Sequence, residues 1–386
     1  MRIVEIRERT IPISRYIDTR LPSGGLTTSL VAIATDAVHT GKRVVGYGFS
    51  SVGRFGQSGL IHERFAPRLL AAQPQALTIP DRDGLDPFAC WSVMMSGEKL
   101  GGHGERCVAV GTLDMAIWDA AAKLASMPLE QFITERLERK RESSPRAFVY
   151  AGGGYLYPDR DIACLTEEIR RFLDLGFSHA KIKIGSAALG TDSKRVEAAA
   201  RLFPGGKHLA VDAMNTYSVK AGIATAKALA AQDLWWFEDP CDPLDFDAQT
   251  QIAEACLCPL AAGEALFSLA EAKLLDRYGG LDRKSDILVF DPVHCYGLTG
   301  YLQILDYLLA RGWPSSAFWP HGGSLFCQHV VAALGLGGAE INPLAFAPFR
   351  GFADGQIISD GYITLPEHPG IGFERHPEIW NALKSF

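Results

Sequence analysis

The feature that most constrains this chain is a repeat that begins near residue 147. Apolar, strand-like runs recur at AFVYAGGG (147–154), AKIKIG (180–185), HLAVDA (208–213), LWWFEDP (234–240), PLAAGE (259–264), DILVFDP (286–292) and SSAFWPHGG (315–323). Helical patterns lie between them, among them LTEEIRRFLDLG, SKRVEAAARLF and GYLQILDYLLARG. Parallel strands need a crossover, and a helix of this length supplies one, so the repeat predicts a parallel sheet in an α/β chain. Seven such units favour a closed βα barrel over an open sheet.

A βα barrel carries its chemistry at the C-terminal ends of the strands. Those ends hold Lys183, Asp212, Glu238, Glu264, Asp291 and His321, all ionisable. Successive members are 29, 26, 26, 27 and 30 residues apart, about one βα unit each, which sets one group per strand at a common height. A single carboxylate closing a strand is more often a helix cap, and a single histidine more often structural. Six in register would need that explanation to hold six separate times.

Asp212, Glu238 and Glu264 fall on consecutive strands. Converging carboxylates repel unless a cation neutralises them, and an all-oxygen set suits Mg²⁺ better than zinc. Lys183 stands to one side, Asp291 with His321 to the other. A hydrogen bond to Asp291 would fix the His321 tautomer and raise its basicity. Lys181 shares the strand face of Lys183; with the cation it should lower the Lys183 pKa so that this amine serves as a base. Asp239, beside Glu238 in FEDP, points to the other side of an ideal strand and is expected to cap or pair at the surface.

Upstream, TTSLVAIAT (27–35) and KRVVGYGFSS (42–51) read as strands, and two glycine-bearing loops, 14–25 and 50–59, leave the same sheet. Residues 61–140 are helical in pattern; the clearest helix lies within 110–133 and is marked off by Pro128. The last 40 residues read as short strands and turns that fold back on the N-terminal region. Composition removes several classes of function. Net charge is −6, without a basic block, so nucleic-acid binding gains no support. No run approaches the ~18 apolar residues of a membrane span. The N-terminus is charged from residue 2 and lacks a signal-peptide core, so a cytoplasmic protein is expected. Cys256-x-Cys258 is the one close cysteine pair; with no second pair it reads as free thiols rather than zinc ligands.

This constellation resembles the enolase superfamily, in particular its mandelate racemase-like subgroup. K-x-K closes the second barrel strand, acids close the third to fifth (VDA, FEDP, AAGE), and an Asp on the sixth faces a His on the seventh (FDP, WPHGG). LDMAIWDAAAKLASMPL resembles the family's signature before the barrel. The resemblance implies a modified TIM barrel, (β/α)₇β, at 141–345, and an α+β capping domain at 1–140 completed by 346–386. It implies Mg²⁺ on Asp212, Glu238 and Glu264, Lys183, His321, Asp291 and Lys181 as the catalytic set, and two capping loops over the mouth. The shared chemistry it implies is removal of a proton α to a carboxylate.

TTSLV, GKRVVGYGF, GEKLGGHGER, GGGYLYP and DPLDF are similar to segments of the D-tartrate dehydratase family. By that resemblance Lys99, Tyr155 and Glu340 are substrate contacts, and Arg20 and Arg54 in the capping loops are added from charge and position. Met214 stands where the superfamily usually has Asn, and Val52 where a polar Asn is expected, so the pocket walls differ. The expected function is dehydration of an α-hydroxy or α,β-dihydroxy acid to a 2-keto acid. Racemisation or epimerisation with the same residues and a catalytically silent binding protein are the alternatives. A small carboxylate substrate and a homo-oligomer are the expected partners. A His-rich metallohydrolase barrel is disfavoured because the chain has no H-x-H.

Overall fold

The computed structural model describes residues 1–79, 84–139 and 145–386. The expected domain boundary at 140/141 lies outside the described residues. The chain opens with β1 (Ile3–Pro12), β2 (Thr27–His39) and β3 (Lys42–Phe49), an antiparallel sheet in that order. The helix Glu105–Leu124 packs on β2 and β3. Glycine sets how closely: a Cβ on Gly46 would lie 2.0 Å from the Ala116 carbonyl oxygen, and one on Gly48 2.4 Å from that of Thr112.

The segment 110–133 is not one helix. The first helix ends at Leu124, and Pro128 precedes a second, Leu129–Arg136. The first helix is buried on nearly every side, because the helix Gly297–Ala310 covers the face that the sheet leaves open. Its two buried aspartates are bonded, as buried carboxylates must be. Asp119 accepts from the Tyr47 and Ile371 amides at 2.9 and 2.7 Å and from Lys123 Nζ at 2.6 Å; Asp114 accepts from Thr299 Oγ1 at 3.1 Å.

The barrel strands follow in sequence order: β4 (Arg146–Gly153), β5 (Ala180–Lys183), β6 (Leu209–Asp212), β7 (Phe237–Glu238), β8 (Leu260–Ala262) and β9 (Ile287–Leu288), each parallel to the next. From β9 the bonding passes to the 318 segment, where the Trp319 amide donates to the Leu288 carbonyl at 2.8 Å. The Gly337 amide donates to the Phe318 carbonyl at 3.0 Å, and β10 (Ala339–Ile341) then pairs in parallel with β4. Side chains alternate along these strands. One interior layer is Tyr150, Ala210, Trp236, Ala261, Val289 and Trp319, a cluster separate from the main core. It plugs the interior beneath the ionisable groups, with Lys181 Nζ 5.8 Å from the Tyr150 ring centroid.

The C-terminal segment divides. The hairpin β11 (Ile358–Ser359) and β12 (Tyr362–Thr364) pairs antiparallel with the first half of β4, in the barrel sheet rather than the N-terminal one. Residues on either side of it meet the N-terminal unit. Phe349 stacks on Phe49 at 3.9 Å between centroids, the Gly370 carbonyl accepts from the Leu129 amide at 2.8 Å, and Trp380 meets Tyr47 edge-on. Among the described residues no helix is long and apolar enough to cross a membrane.

Candidate active site

The strand ends converge as their spacing predicts. Lys183, Asp212 and Glu238 are the last residues of β5, β6 and β7, in register from strand to strand. Glu264 lies two residues past β8, and Asp291 three past β9. One carboxylate oxygen each from Asp212, Glu238 and Glu264 falls within a mutual 4.8 Å.

Both lysines of AKIK turn inward and are buried. Lys183 Nζ donates to Asp212 Oδ2, and Lys181 Nζ donates to Glu238 Oε1. Lys181 also lies 3.6 Å from both Asp212 Oδ2 and Glu340 Oε1. Trp236 Nε1 donates to Glu238 Oε2 at 2.8 Å, and the Met214 amide donates to Asp212 Oδ1 at 2.7 Å. On the far side, His321 Nδ1 donates to Asp291 Oδ2 at 2.9 Å, which leaves Nε2 3.4 Å from Glu264 Oε1.

The electrostatics follow from burial and these neighbours. Burial pushes the Glu238 carboxyl up to about 7 against the pull of Lys181. For Asp212 burial also raises the pKa, but Lys183 and Lys181 outweigh it and hold the carboxyl below its usual range. Burial would lower His321, yet Glu264 and Asp291 bring it to about 9. Asp291 is held at about 2: burial raises it, His294 and His321 more than offset that. The expected lowering of Lys183 is corrected only for the share of the protein's own groups; the share assigned to the cation is separate. Burial and Lys181 do pull it down, but Asp212 outweighs both, and the chain's own charges hold this ammonium above the ordinary lysine value.

Asp239 is a second correction. It is buried, not a surface cap, because its backbone turns to φ 42° and breaks the strand alternation. Burial, Glu264 and Glu238 push its carboxyl far up, and among the described residues Oδ2 has no hydrogen-bond partner. Glu340, on β10, is likewise buried, with Oε2 lacking a hydrogen-bond partner among the described residues. The pocket thus gathers five carboxylates, Asp212, Glu238, Asp239, Glu264 and Glu340, against the ammonium groups of Lys181 and Lys183. That excess of acid, supplied as oxygen donors alone, fits a hard divalent cation such as Mg²⁺. Asp291, His294 and His321 also lie within 4.8 Å of one another. The Asp291 oxygens, however, are already taken by four donors, so this second group suits a cation less.

The expected substrate contacts separate. Tyr155 lies at the site, its ring centroid 5.6 Å from Lys183 Nζ. Arg54 stands over the Phe267 ring at 4.7 Å, and its charge adds to the lowering of the His294 pKa that burial dominates. Glu340 sits beside Lys181, deep in the barrel. Lys99 is exposed beside Glu98, and no contact among the described residues ties it to the carboxylates. Arg20 turns away: its guanidinium is 89% exposed and bonds both oxygens of Asp18, two residues back, at 2.8 and 2.7 Å. The arginine of that loop that reaches the site is Arg15, 5.2 Å from the Tyr155 ring centroid. Sequence reasoning also missed Ser51, whose Oγ donates to Asp291 Oδ2 at 2.6 Å, and His294, fully buried, whose ring nitrogens make no hydrogen bond among the described residues and whose Nδ1 lies 3.6 Å from Asp291 Oδ2. The FDPVHCYG segment displays His294 openly; only the fold sets its ring 5.6 Å from that of His321.

A family model described as enolase C-terminal domain-like matches residues 165–379, over half of the chain. The chain belongs to this family. Individual relatives extend the match over nearly its full length. Arabinonate dehydratase of Saccharolobus solfataricus is 24% identical over 364 residues, 93% of this chain and 92% of the relative. L-talarate/galactarate dehydratase of Salmonella typhimurium is 25% identical over 350 residues, 89% of this chain and 80% of the relative. Among solved structures, a racemase from Streptomyces coelicolor A3(2) with bound magnesium superposes with a TM-score of 0.76 at 25% identity, covering 97% of this chain and 99% of that one. Mandelate racemase-like enzymes of the enolase superfamily are therefore the structural neighbours, and the dehydratases among the relatives are named for sugar acids. The eight cysteines are free; Cys164, Cys256 and Cys258 are partly exposed, the others buried.

Proposed function

We propose that this enzyme is a Mg²⁺-dependent hydro-lyase that converts an α-hydroxy or α,β-dihydroxy acid, a sugar acid or a tartrate-like acid, to a 2-keto acid. The scaffold of this reading is a (β/α)₇β barrel at 141–345, capped by 1–140 and 346–386. One observation carries it: two groups able to move protons, Lys183 and His321, flank a convergent set of three oxygen donors. Asp212, Glu238 and Glu264 are the residues that would hold the cation. When bound, a divalent cation supplies positive charge to the substrate carboxylate and draws on the carboxylate that otherwise keeps Lys183 protonated.

The chain's own residues do the rest. Lys183 Nζ or His321 Nε2 takes the α-proton, and the opposite group delivers a proton to the departing hydroxide. Asp291 keeps Nδ1 of His321 protonated, so that Nε2 is the atom that faces the reaction. Lys181 balances Glu238 and Glu340 at the floor, and the aromatic plug beneath keeps bulk water from below. Tyr155 and Arg54 line the mouth as substrate contacts. The enol left by loss of water tautomerises to the keto acid. A library of hydroxy acids, aldonates and aldarates, assayed with Mg²⁺ for 2-keto acids, tests the proposal: at least one acid should be converted, and conversion of none contradicts it. The two-sided placement of Lys183 and His321 also suits a 1,1-proton transfer. Interconversion of the α-epimers in D₂O with no 2-keto acid formed would identify a racemase or epimerase instead.

A further inference from the structure

The Asp291 carboxylate has four hydrogen bonds. Oδ1 accepts from the Val293 and His294 amides at 2.7 and 3.3 Å; Oδ2 accepts from His321 Nδ1 at 2.9 Å and Ser51 Oγ at 2.6 Å. The first three donors belong to the barrel. The fourth comes from the N-terminal sheet, 240 residues away in sequence, at the head of the 50–59 loop.

The approach of that hydroxyl is built from both sides. Ser51 is buried and held at φ 63°, a conformation that a non-glycine residue adopts only when its surroundings impose it. Thr28 Oγ1 donates to the Ser51 carbonyl at 3.2 Å, the Ser50 amide donates to the Ser29 carbonyl at 3.1 Å, and Ser50 Oγ meets Thr112 Oγ1 at 2.9 Å. Opposite, Gly322 sits at φ 113°, where a Cβ would lie 2.6 Å from Ser51 Oγ and 2.9 Å from Asp291 Oδ2. The loop then passes over the imidazole: a Cβ on Gly53 would be 3.5 Å from Glu264 Oε1 and 3.9 Å from His321 Cε1. Lys183 has no comparable partner from the capping loops; its hydrogen bond is to Asp212 on the neighbouring barrel strand.

We propose that Ser51 is a positioning residue that makes the His321 half of the site depend on the seating of the 50–59 loop, while the Lys183 half is complete within the barrel. The hydroxyl occupies a lone pair of Oδ2 and fixes the carboxylate plane, so that His321 Nδ1–H has one acceptor geometry and Nε2 one direction. With the loop lifted, Oδ2 loses this donor and the imidazole its alignment. The loop that covers a substrate is thereby the loop that aligns His321, which couples exclusion of water to readiness for proton transfer. The proton-transfer part of this inference rests on the function proposed above; the alignment part does not.

The test uses the full-length, Mg²⁺-supplemented protein and Ser51→Gly, which keeps the positive φ and removes the hydroxyl, with Ser51→Ala as a second variant. In ¹⁵N-histidine-labelled protein, the hydrogen-bonded Nδ1 proton of His321, assigned by its loss in His321→Asn, should move upfield and exchange faster with water in both variants. On an acid that the enzyme converts, kcat should fall at least about tenfold with KM within about twofold. α-Proton exchange that depends on Lys183, identified by its loss in Lys183→Met, should persist. An unchanged Nδ1 proton overturns the alignment. Unchanged kcat, or equal loss of Lys183-dependent exchange, overturns the division of the site. If no acid is converted, the function proposed above fails, and the Nδ1 proton still decides the role of Ser51.

Discussion

The two flanks of the carboxylate group are built differently. Lys183 is a strand residue whose partners, Asp212 and Lys181, stand on the same or the next barrel strand. His321 follows the 318 segment that bonds to β9, is aligned by Asp291, and that aspartate is finished by Ser51 from beyond the other sheet. One flank is set by strand register, which burial of the strand faces specifies strongly; the other is assembled across two sheets. A site that needs a proton handled on each side of a substrate has placed one handler in the barrel wall and one at its seam with the cap.

The strongest way to break that comparison is to remove what both flanks share. Glu238→Gln should abolish turnover and the calorimetric signal of Mg²⁺ binding, and with them the activity of both flanks. Retained binding at wild-type affinity would disqualify Glu238 as a ligand. Next in size are the flanks themselves. Lys183→Met and His321→Asn should each reduce turnover by roughly 10²–10⁴-fold, the usual worth of a general acid or base. A loss on one side only would assign the whole reaction to that flank.

Lys181→Met should act more mildly and through pH. Lys181 lowers the pKa of Lys183, so its removal raises that pKa and moves the ascending, low-pH arm of the pH–rate profile to higher pH. An unshifted arm would remove Lys181 from the account. The smallest effect concerns the seam. His329, on the helix that follows His321, accepts from the Glu130 amide through Nδ1 at 3.2 Å and donates from Nε2 to the Ile371 carbonyl at 3.0 Å, which requires the neutral ring. Burial lowers its pKa to about 4. The unfolded chain therefore takes up this proton first, and stability present above pH 6.5 drains as pH falls toward 4, at up to about 1.4 kcal/mol per pH unit. His179, at the foot of β5, is lowered similarly and contributes to the total. His329→Gln isolates the seam: urea unfolding at pH 7 and pH 5 should show a smaller acid loss than in the wild type, and an equal loss would refute the assignment.

What the sequence disclosed follows the same division. Strand alternation and equal spacing are periodic, so Lys181, Lys183, Asp212, Glu238 and Glu264 could be placed from the chain alone, as could the Asp291–His321 contact. Ser51 and Arg15 lie in loops, where no period links residue number to direction, and nothing in SRYIDTR shows that Asp18 captures the Arg20 guanidinium. Asp239 escapes the alternation because the strand ends at Glu238 and the backbone turns at the next residue. The C-terminal hairpin pairs with β4 through a tertiary edge that no local pattern encodes.

The central claim is that two proton handlers work from opposite sides of one carboxylate-held site. Its most direct measurement is α-proton exchange in D₂O, followed by NMR, on both α-epimers of an acid that the enzyme converts, in the wild type, Lys183→Met and His321→Asn. Lys183→Met should abolish exchange from one epimer and spare the other, and His321→Asn should do the reverse. Wild-type exchange of both epimers by both variants would contradict the account.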